Sequence, residues 1–158
     1  MDFVLNYILP AAYSLLPESM HSPRSTAMLL AIGLQESGFR HRRQVGGGPA
    51  RGYWQFEPGP SAAVHGVLRH DASRPHIGPV LSQFGYEPTV TSCYAAIEHN
   101  DILAACFARL LLFTLPDALP DKGEAGKGWD QYLAAWRPGK PKPDTWQGNF
   151  HAAWDCLG

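Results

Sequence analysis

Residues 22–37 read SPRSTAMLLAIGLQES, and this stretch decides the predicted fold. Ser22 followed by Pro23 is a typical helix start, because a serine side chain caps the first N–H groups and proline is tolerated in the first turn. At about 100° per residue, Glu36 falls on the apolar side of the helix, one turn beyond Ile32. We therefore predict a buried helix that carries a carboxyl group at its C-terminal end.

The carboxyl group of Glu36 has two interpretations. Burial in low-dielectric surroundings raises the pKa of a carboxyl group, which suits a general acid working near neutral pH. A glutamate at a helix end also commonly bends out to water or caps a backbone group, because charged side chains are rarely fully buried. Position alone favours the second interpretation, but the residues that follow favour the first.

A loop rich in glycine and arginine leads from this helix to the aromatic segment Tyr-Trp-Gln-Phe-Glu at 53–57. The composition of the segment predicts a β-strand. Alternation along a strand would put Tyr53, Gln55 and Glu57 on one face. A ring, an amide and a carboxylate together suit a sugar that carries hydroxyl and acetamido groups, because hydroxyls need partners that both donate and accept hydrogen bonds.

Four segments, in order along the chain, resemble goose-type lysozymes and lytic transglycosylases. Glu36-Ser37 is similar to the Glu-Ser signature of that superfamily, and ARGYWQ at 50–55 to its Gly-Leu-Met-Gln segment. NDILAACFARL at 100–110 resembles its Asn-Ile-x-x-Gly-x-x-Tyr-Leu helix. LAAWRPG at 133–139 resembles its Ala-Tyr-Asn-Ala-Gly segment. The order and number of the matches indicate a lysozyme-like protein, most similar to phage-encoded members that degrade cell walls.

The resemblance implies a mainly α fold, a lysozyme-like α+β domain with a buried central helix and a small β-hairpin beside the active-site cleft. Residues 102–115 fit the central helix, because they are apolar nearly all round and Arg109 is their only charge. A chain of 158 residues has no room for a second core, so we expect one domain over 1–158. Helices are predicted at 3–16, 23–37, 60–69, 75–84, 89–98, 100–114, 128–136 and 143–156.

The resemblance also implies an activity, the cleavage of the β-1,4 bond between N-acetylmuramic acid and N-acetylglucosamine in bacterial peptidoglycan. Glu36 would be the general acid. Trp136 and Arg137 stand where the superfamily usually has Tyr and Asn, a difference that bears on substrate detail. The residues expected to bind the glycan strand are Ser37, Tyr53, Gln55, Trp136 and Arg137.

Two reaction outcomes stay open. In a hydrolase a second carboxylate activates water, and Glu57 is the first candidate; inversion needs the two carboxyl groups about 6.5–9.5 Å apart. In a lytic transglycosylase Glu36 alone acts as acid and then as base, leaving a 1,6-anhydro ring. Glu57 stands where transglycosylases commonly have an apolar residue, which favours hydrolysis.

Other classes of function find less support in the composition. A net charge of −1 and a pI near 6.6 argue against a nucleic-acid partner. A non-catalytic module that binds peptidoglycan or builds a virion predicts loss of Glu36 or Gln55, and both are present. The histidines and the three cysteines lack the spacing of metal ligands, so we expect free thiols, no metal and no cofactor. A monomer is the expected state of an enzyme that acts on a polymer.

The apolar residues 3–16 could suggest an export signal. However, Asp2 replaces the usual positive flank, and Asn6 and Pro10 interrupt the apolar run. The run is also too short to span a bilayer. We therefore expect no signal peptide and no membrane insertion, with synthesis in the cytoplasm and action on the wall after release or as part of a virion.

Overall fold

The computed structural model describes residues 1–158, and it is mainly helical. The mainly α fold class is confirmed, and each predicted helix is present with small differences at its ends. A π-helical turn, Val4–Ile8, precedes the first α-helix, and a 3₁₀ turn, Glu18–Met20, follows it. The α-helices are α1 Leu9–Ser14, α2 Pro23–Glu36, α3 Ala63–Arg69, α4 Arg74–Phe84, α5 Val90–His99, α6 Asp101–Phe113, α7 Ala125–Trp136 and α8 Pro143–Asp155.

The predicted β-hairpin is absent, and the α+β expectation is corrected in this respect. Isolated β-bridges join Arg43 to Arg51 and Arg51 to Phe56, and neither extends into a ladder of paired strands. The residues between the two ends of the second bridge form a turn, in which Gly52 and Gln55 have φ of 75° and 54°. A strand requires extended backbone with negative φ, so the aromatic composition of this segment was a misleading signal.

The predicted central helix is confirmed in α6, which is buried continuously from Leu103 to Leu112. It begins where the Asn100 side chain accepts a 2.9 Å hydrogen bond from the Leu103 N–H. Helices α1, α3, α4 and α5 pack around it, and the buried apolar side chains form one core. Arg109 is buried with them, and its Nε donates a 2.7 Å hydrogen bond to the carbonyl of Met20.

Helix α2 carries the candidate acid, and its start is fixed by a capping box. The Ser22 hydroxyl accepts from the Ser25 N–H at 3.1 Å, and the Ser25 hydroxyl accepts from the Ser22 N–H at 3.0 Å. Every residue from Ser25 to Gly33 is buried, against α8 and α6 above all. The helix therefore emerges from the core only at its last turn, where Glu36 lies.

The N-terminal helix contains a π-helical turn next to Pro10. The Leu9 N–H donates to the carbonyl of Val4, five residues back, and proline has no N–H to continue a regular ladder. None of the helices, this one included, combines the length and the apolar character that a membrane span requires.

Candidate active site

A cleft of about 970 Å³ lies between the end of α2, the turn that follows Arg51, and the segment that joins α7 to α8. Its floor and walls contain few large apolar groups, and its acidic side chains are Glu36 and Glu57. The cleft brings together six of the residues singled out from the sequence: Glu36, Ser37, Gln55, Glu57, Trp136 and Arg137.

Glu36 is the most perturbed carboxyl group of the cleft. Burial, above all, raises its pKa from 4.5 to about 7, and the negative charge of Glu57 acts in the same direction. A hydrogen bond from Tyr132 and the positive charge of Lys142 oppose this rise. A carboxyl group with such a pKa is substantially protonated near neutral pH, which is the state that a general acid needs.

Tyr132 is a site residue that the sequence analysis missed. Its hydroxyl donates a 2.7 Å hydrogen bond to Oε1 of Glu36, and its ring is stacked on Trp146 at 5.2 Å and 12°. Burial and the nearby Glu36 charge raise the pKa of the tyrosine, so the phenol stays a donor. Tyr132 precedes Trp136 by one helical turn and shares its face of α7, and this spacing was the available signal.

The turn after Arg51 is anchored to two helices. The indole N–H of Trp54 donates to the carbonyl of Leu29 in α2 at 2.8 Å. The indole N–H of Trp136 donates to the carbonyl of Trp54, also at 2.8 Å. The Ser37 hydroxyl donates to the carbonyl of Tyr53 at 2.6 Å. Ser37 and Trp136, both predicted to bind substrate, therefore also fix the backbone beside the cleft.

Gln55 lies at the end of this turn and faces the cleft. Its amide nitrogen donates a 2.9 Å hydrogen bond to the carbonyl of Gly52, while its amide oxygen makes no hydrogen bond within the protein. Gly52 lies against α5, where an added Cβ would be 2.9 Å from Cγ2 of Ile97. The close approach holds the turn in place, and the Gln55 oxygen is left to accept a hydrogen bond from a ligand.

Glu57 and Arg137 occupy exposed positions in the cleft, in contrast to the partly buried Glu36. Glu57 forms no ion pair with a lysine or arginine, and its charge contributes to the raised pKa of Glu36. Arg137 ends α7 in a left-handed conformation, with φ of 48°. Beside it, the Trp136 ring stacks on Phe56 at 5.9 Å and 29° and forms an aromatic wall.

Tyr53 was predicted to line the cleft, but it does not. Its side chain is only 9% exposed and contacts the edge of Phe39, with ring centroids 5.6 Å apart. The guanidinium of Arg42 lies 4.4 Å from the centre of its ring and is held by a two-point hydrogen bond to Asp101, at 2.9 and 2.7 Å. Tyr53 therefore supports the turn from behind.

The cleft contains neither a cysteine nor a metal-binding cluster. No group of three or more His, Cys, Asp or Glu side chains is arranged to hold a metal ion. The three cysteines are free thiols. Burial raises the pKa of Cys93 to about 11 and that of Cys106 to about 12, so both stay protonated near neutral pH.

Comparison of the chain with known protein families, with curated proteins and with solved structures finds no match. The assignment of a function therefore depends on the chemistry of the cleft and on the sequence motifs. The cleft combines a carboxyl group of raised pKa, a second and exposed carboxylate, an amide oxygen without a partner and an aromatic wall.

Proposed function

We propose that the protein is a glycosidase that cleaves the β-1,4 bond between N-acetylmuramic acid and N-acetylglucosamine in bacterial peptidoglycan. One observation carries the proposal: Glu36 lies in an open cleft with its pKa raised to about 7 by burial. Such a group can donate a proton to a leaving glycosidic oxygen near neutral pH. The resemblance of the chain's motifs to goose-type lysozymes and lytic transglycosylases supports the same chemistry.

The neighbours of Glu36 supply the other elements of the mechanism. Protonated Glu36 donates to the glycosidic oxygen as the bond to the anomeric carbon breaks. The carboxylate that remains keeps the hydrogen bond from Tyr132, which stabilises the negative charge. The free amide oxygen of Gln55 accepts from an acetamido N–H, and Trp136 contacts a sugar ring.

We propose hydrolysis as the outcome, with Glu57 as the general base. Glu57 lies in the same cleft, exposed to solvent, and its charge raises the pKa of Glu36. Two carboxyl groups in such different environments suit an acid and a base. Glu57 would take a proton from a water molecule, whose oxygen then bonds to the anomeric carbon. In the alternative, a lytic transglycosylase, Glu36 itself takes the proton of the muramyl 6-hydroxyl, which closes the 1,6-anhydro ring.

The test is mass spectrometry of the fragments released from purified peptidoglycan by the wild type and by Glu36→Gln, Glu57→Gln and Glu18→Gln. We expect reducing-end products from the wild type and from Glu18→Gln, an exposed control outside the cleft. We expect none from Glu36→Gln and strongly reduced amounts from Glu57→Gln. Products with a 1,6-anhydro ring that persist in Glu57→Gln would replace hydrolysis with transglycosylation.

The competing proposal from another class is a lysozyme-like module that binds peptidoglycan or builds a virion without catalysis. The carboxyl group of raised pKa in an open cleft favours the enzyme, because a binding module has no need of a protonated acid. If the protein bound to several types of cell wall but released no fragment from any of them, the binding module would be favoured over the enzyme. We propose that the enzyme acts at the wall as a monomer, after release from the cytoplasm or as part of a virion.

A further inference from the structure

The segment that joins α7 to α8, Arg-Pro-Gly-Lys-Pro-Lys at 137–142, carries three cations into one wall of the cleft. Arg137, Lys140 and Lys142 are exposed, and none of them forms an ion pair with a carboxylate of the protein. Seven of the thirteen lysines and arginines do form ion pairs, namely Arg24, Arg42, Arg43, Arg51, Arg74, Lys122 and Lys127. Half of the unpaired cations therefore lie on this segment.

The helix that precedes the segment does not account for this concentration of charge. The partial negative charge at the end of α7 favours a cation near Arg137, but the effect falls off beyond the last turn. Lys140 and Lys142 lie outside that turn. The cation on the side of the cleft formed by the arginine-rich loop, Arg43, is already paired with Glu98. The positive charge in the cleft that forms no ion pair with a carboxylate is thus confined to this wall.

The backbone of the segment is held in place. Pro138 and Pro141 restrict φ within it. The carbonyl of Lys142 accepts hydrogen bonds from Nε2 of Gln35 at 2.8 Å and from the hydroxyl of Thr145 at 3.2 Å. A side chain of α2 and one of α8 thus fix the end of the segment, so its cations are presented to the cleft from a defined backbone.

We propose that Arg137, Lys140 and Lys142 form a subsite for anionic groups carried on the glycan strand, so that the protein prefers an anionic wall polymer to a neutral amino-sugar polymer. The inference rests on the proposed function, since it takes the occupant of the cleft to be peptidoglycan. Ammonium and guanidinium groups bind carboxylates and phosphates by charge-assisted hydrogen bonds. Stem-peptide carboxylates and the phosphodiesters of attached wall polymers share this chemistry.

The test measures binding in a Glu36→Gln background, in which the wall is not digested. The variant Lys140→Gln/Lys142→Gln is compared with Arg69→Gln/Lys122→Gln, a control that removes two exposed cations outside the cleft. The probes are intact peptidoglycan, peptidoglycan stripped of phosphate polymers, and chitin, which is neutral. Thermal unfolding of both variants checks that each is folded.

We expect the Lys140→Gln/Lys142→Gln variant to bind stripped peptidoglycan about fivefold more weakly than its parent at low salt. The difference should shrink at high salt, because salt screens exposed charges, and it should be absent on chitin. That pattern assigns the subsite to carboxylates, and a loss confined to phosphate-bearing walls assigns it to phosphodiesters.

Two results would overturn the subsite: an equal loss of binding affinity in the two double variants, or the same loss of affinity for chitin as for peptidoglycan. Failure of the proposed function has a different signature: the wild type would release no fragments from any wall, whatever the effect of Lys140 and Lys142 on binding.

Discussion

The Tyr132 hydroxyl donates a 2.7 Å hydrogen bond to Oε1 of Glu36 and thereby joins α7 to the last turn of α2. The bond stabilises the ionised carboxylate, while burial and the charge of Glu57 destabilise it. Burial is the largest of these effects, and the pKa of Glu36 settles at about 7. The acid is thus held in one orientation and close to half protonation at neutral pH.

The first prediction concerns this hydrogen bond. Tyr132→Phe keeps the ring that stacks on Trp146 but removes the donor, so the ionised form of Glu36 is destabilised and the pKa of Glu36 rises. We expect the alkaline limb of the profile of kcat/KM against pH to move to higher pH. We also expect kcat to fall by about 10- to 100-fold, because the carboxyl group loses its fixed orientation.

Tyr7→Phe is the matched control for Tyr132→Phe, since Tyr7 is 67% exposed and lies outside the cleft. Its pH profile should coincide with that of the wild type. An alkaline limb of Tyr132→Phe that stays in place or moves to lower pH would contradict the assigned role of the hydrogen bond.

The second prediction concerns the free energy of unfolding. Folding raises the pKa of Glu36 from 4.5 to about 7, so between these values the native state binds more protons than the unfolded chain. Stability must therefore fall as pH rises through this window, and the loss is complete above it. Glu36→Gln removes the effect. The free energy of unfolding of Glu36→Gln minus that of the wild type should therefore increase by up to about 3 kcal/mol between about pH 4 and pH 8.

Denaturant unfolding at the two pH values measures this difference. Glu18→Gln, which removes an exposed carboxylate, controls for the general effect of one negative charge. If the difference in unfolding free energy between Glu36→Gln and the wild type were the same at both pH values, the pKa of Glu36 would not be raised by folding.

The helices could be predicted because their signals are local. Ser22 and Pro23 mark the start of α2 through capping and first-turn geometry, and Asn100 does the same for α6. The nearly uninterrupted apolar character of the residues around Arg109 predicts a helix surrounded by others. Each of these features depends on a few neighbouring residues, and the structure preserves them.

The turn that carries Gln55 could not be predicted in the same way. Its aromatic residues have high strand propensity, but hydrogen bonds to residues distant in sequence hold them in a turn. Trp54 donates to the carbonyl of Leu29 and accepts from the indole N–H of Trp136. Gly52 lies against α5, a contact that local composition does not encode. Tertiary packing therefore overrides the propensity of the segment and gives a turn in place of a strand.

The candidate site was predictable in its polar residues and less so in its supporting ones. Glu36 and Gln55 were singled out by position and motif, and both face the cleft. Tyr53 was expected to contact a ligand because it lies beside an amide, whereas Tyr132, the tyrosine that contacts Glu36, was not singled out. Which ring reaches the carboxyl group depends on how α7 packs against α2.

The third prediction concerns Gly33, one turn before the acid. A Cβ at this position would lie 2.2 Å from the Phe39 ring, which packs edge-on against Trp54 with centroids 5.8 Å apart. Gly33→Ala must displace that ring, so we expect a loss of about 1–3 kcal/mol in the free energy of unfolding. Activity should fall as well, because Trp54 positions the turn that holds Gln55.

Gly148→Ala is the matched control for Gly33→Ala. Gly148 lies in the interior of α8, and an added Cβ would meet no atom within 4 Å. Helix propensity alone should then act, with a gain of up to about 1 kcal/mol. A stabilised Gly33→Ala variant would show that the Phe39 ring is not fixed in its observed place.

The fourth prediction concerns the hydrogen bond between α7 and the turn. Trp136→Phe keeps an aromatic ring beside Phe56 but leaves the carbonyl of Trp54 without its donor, at a cost of about 1–3 kcal/mol in unfolding free energy. Because Gln55 follows Trp54 directly, KM should rise together with the loss of stability.

Trp154→Phe is the control. The buried indole N–H of Trp154 has no partner in the protein, so the substitution removes no hydrogen bond and changes only the packing. Equal losses of stability and unchanged KM in both variants would mean that the bond from Trp136 does not position the turn.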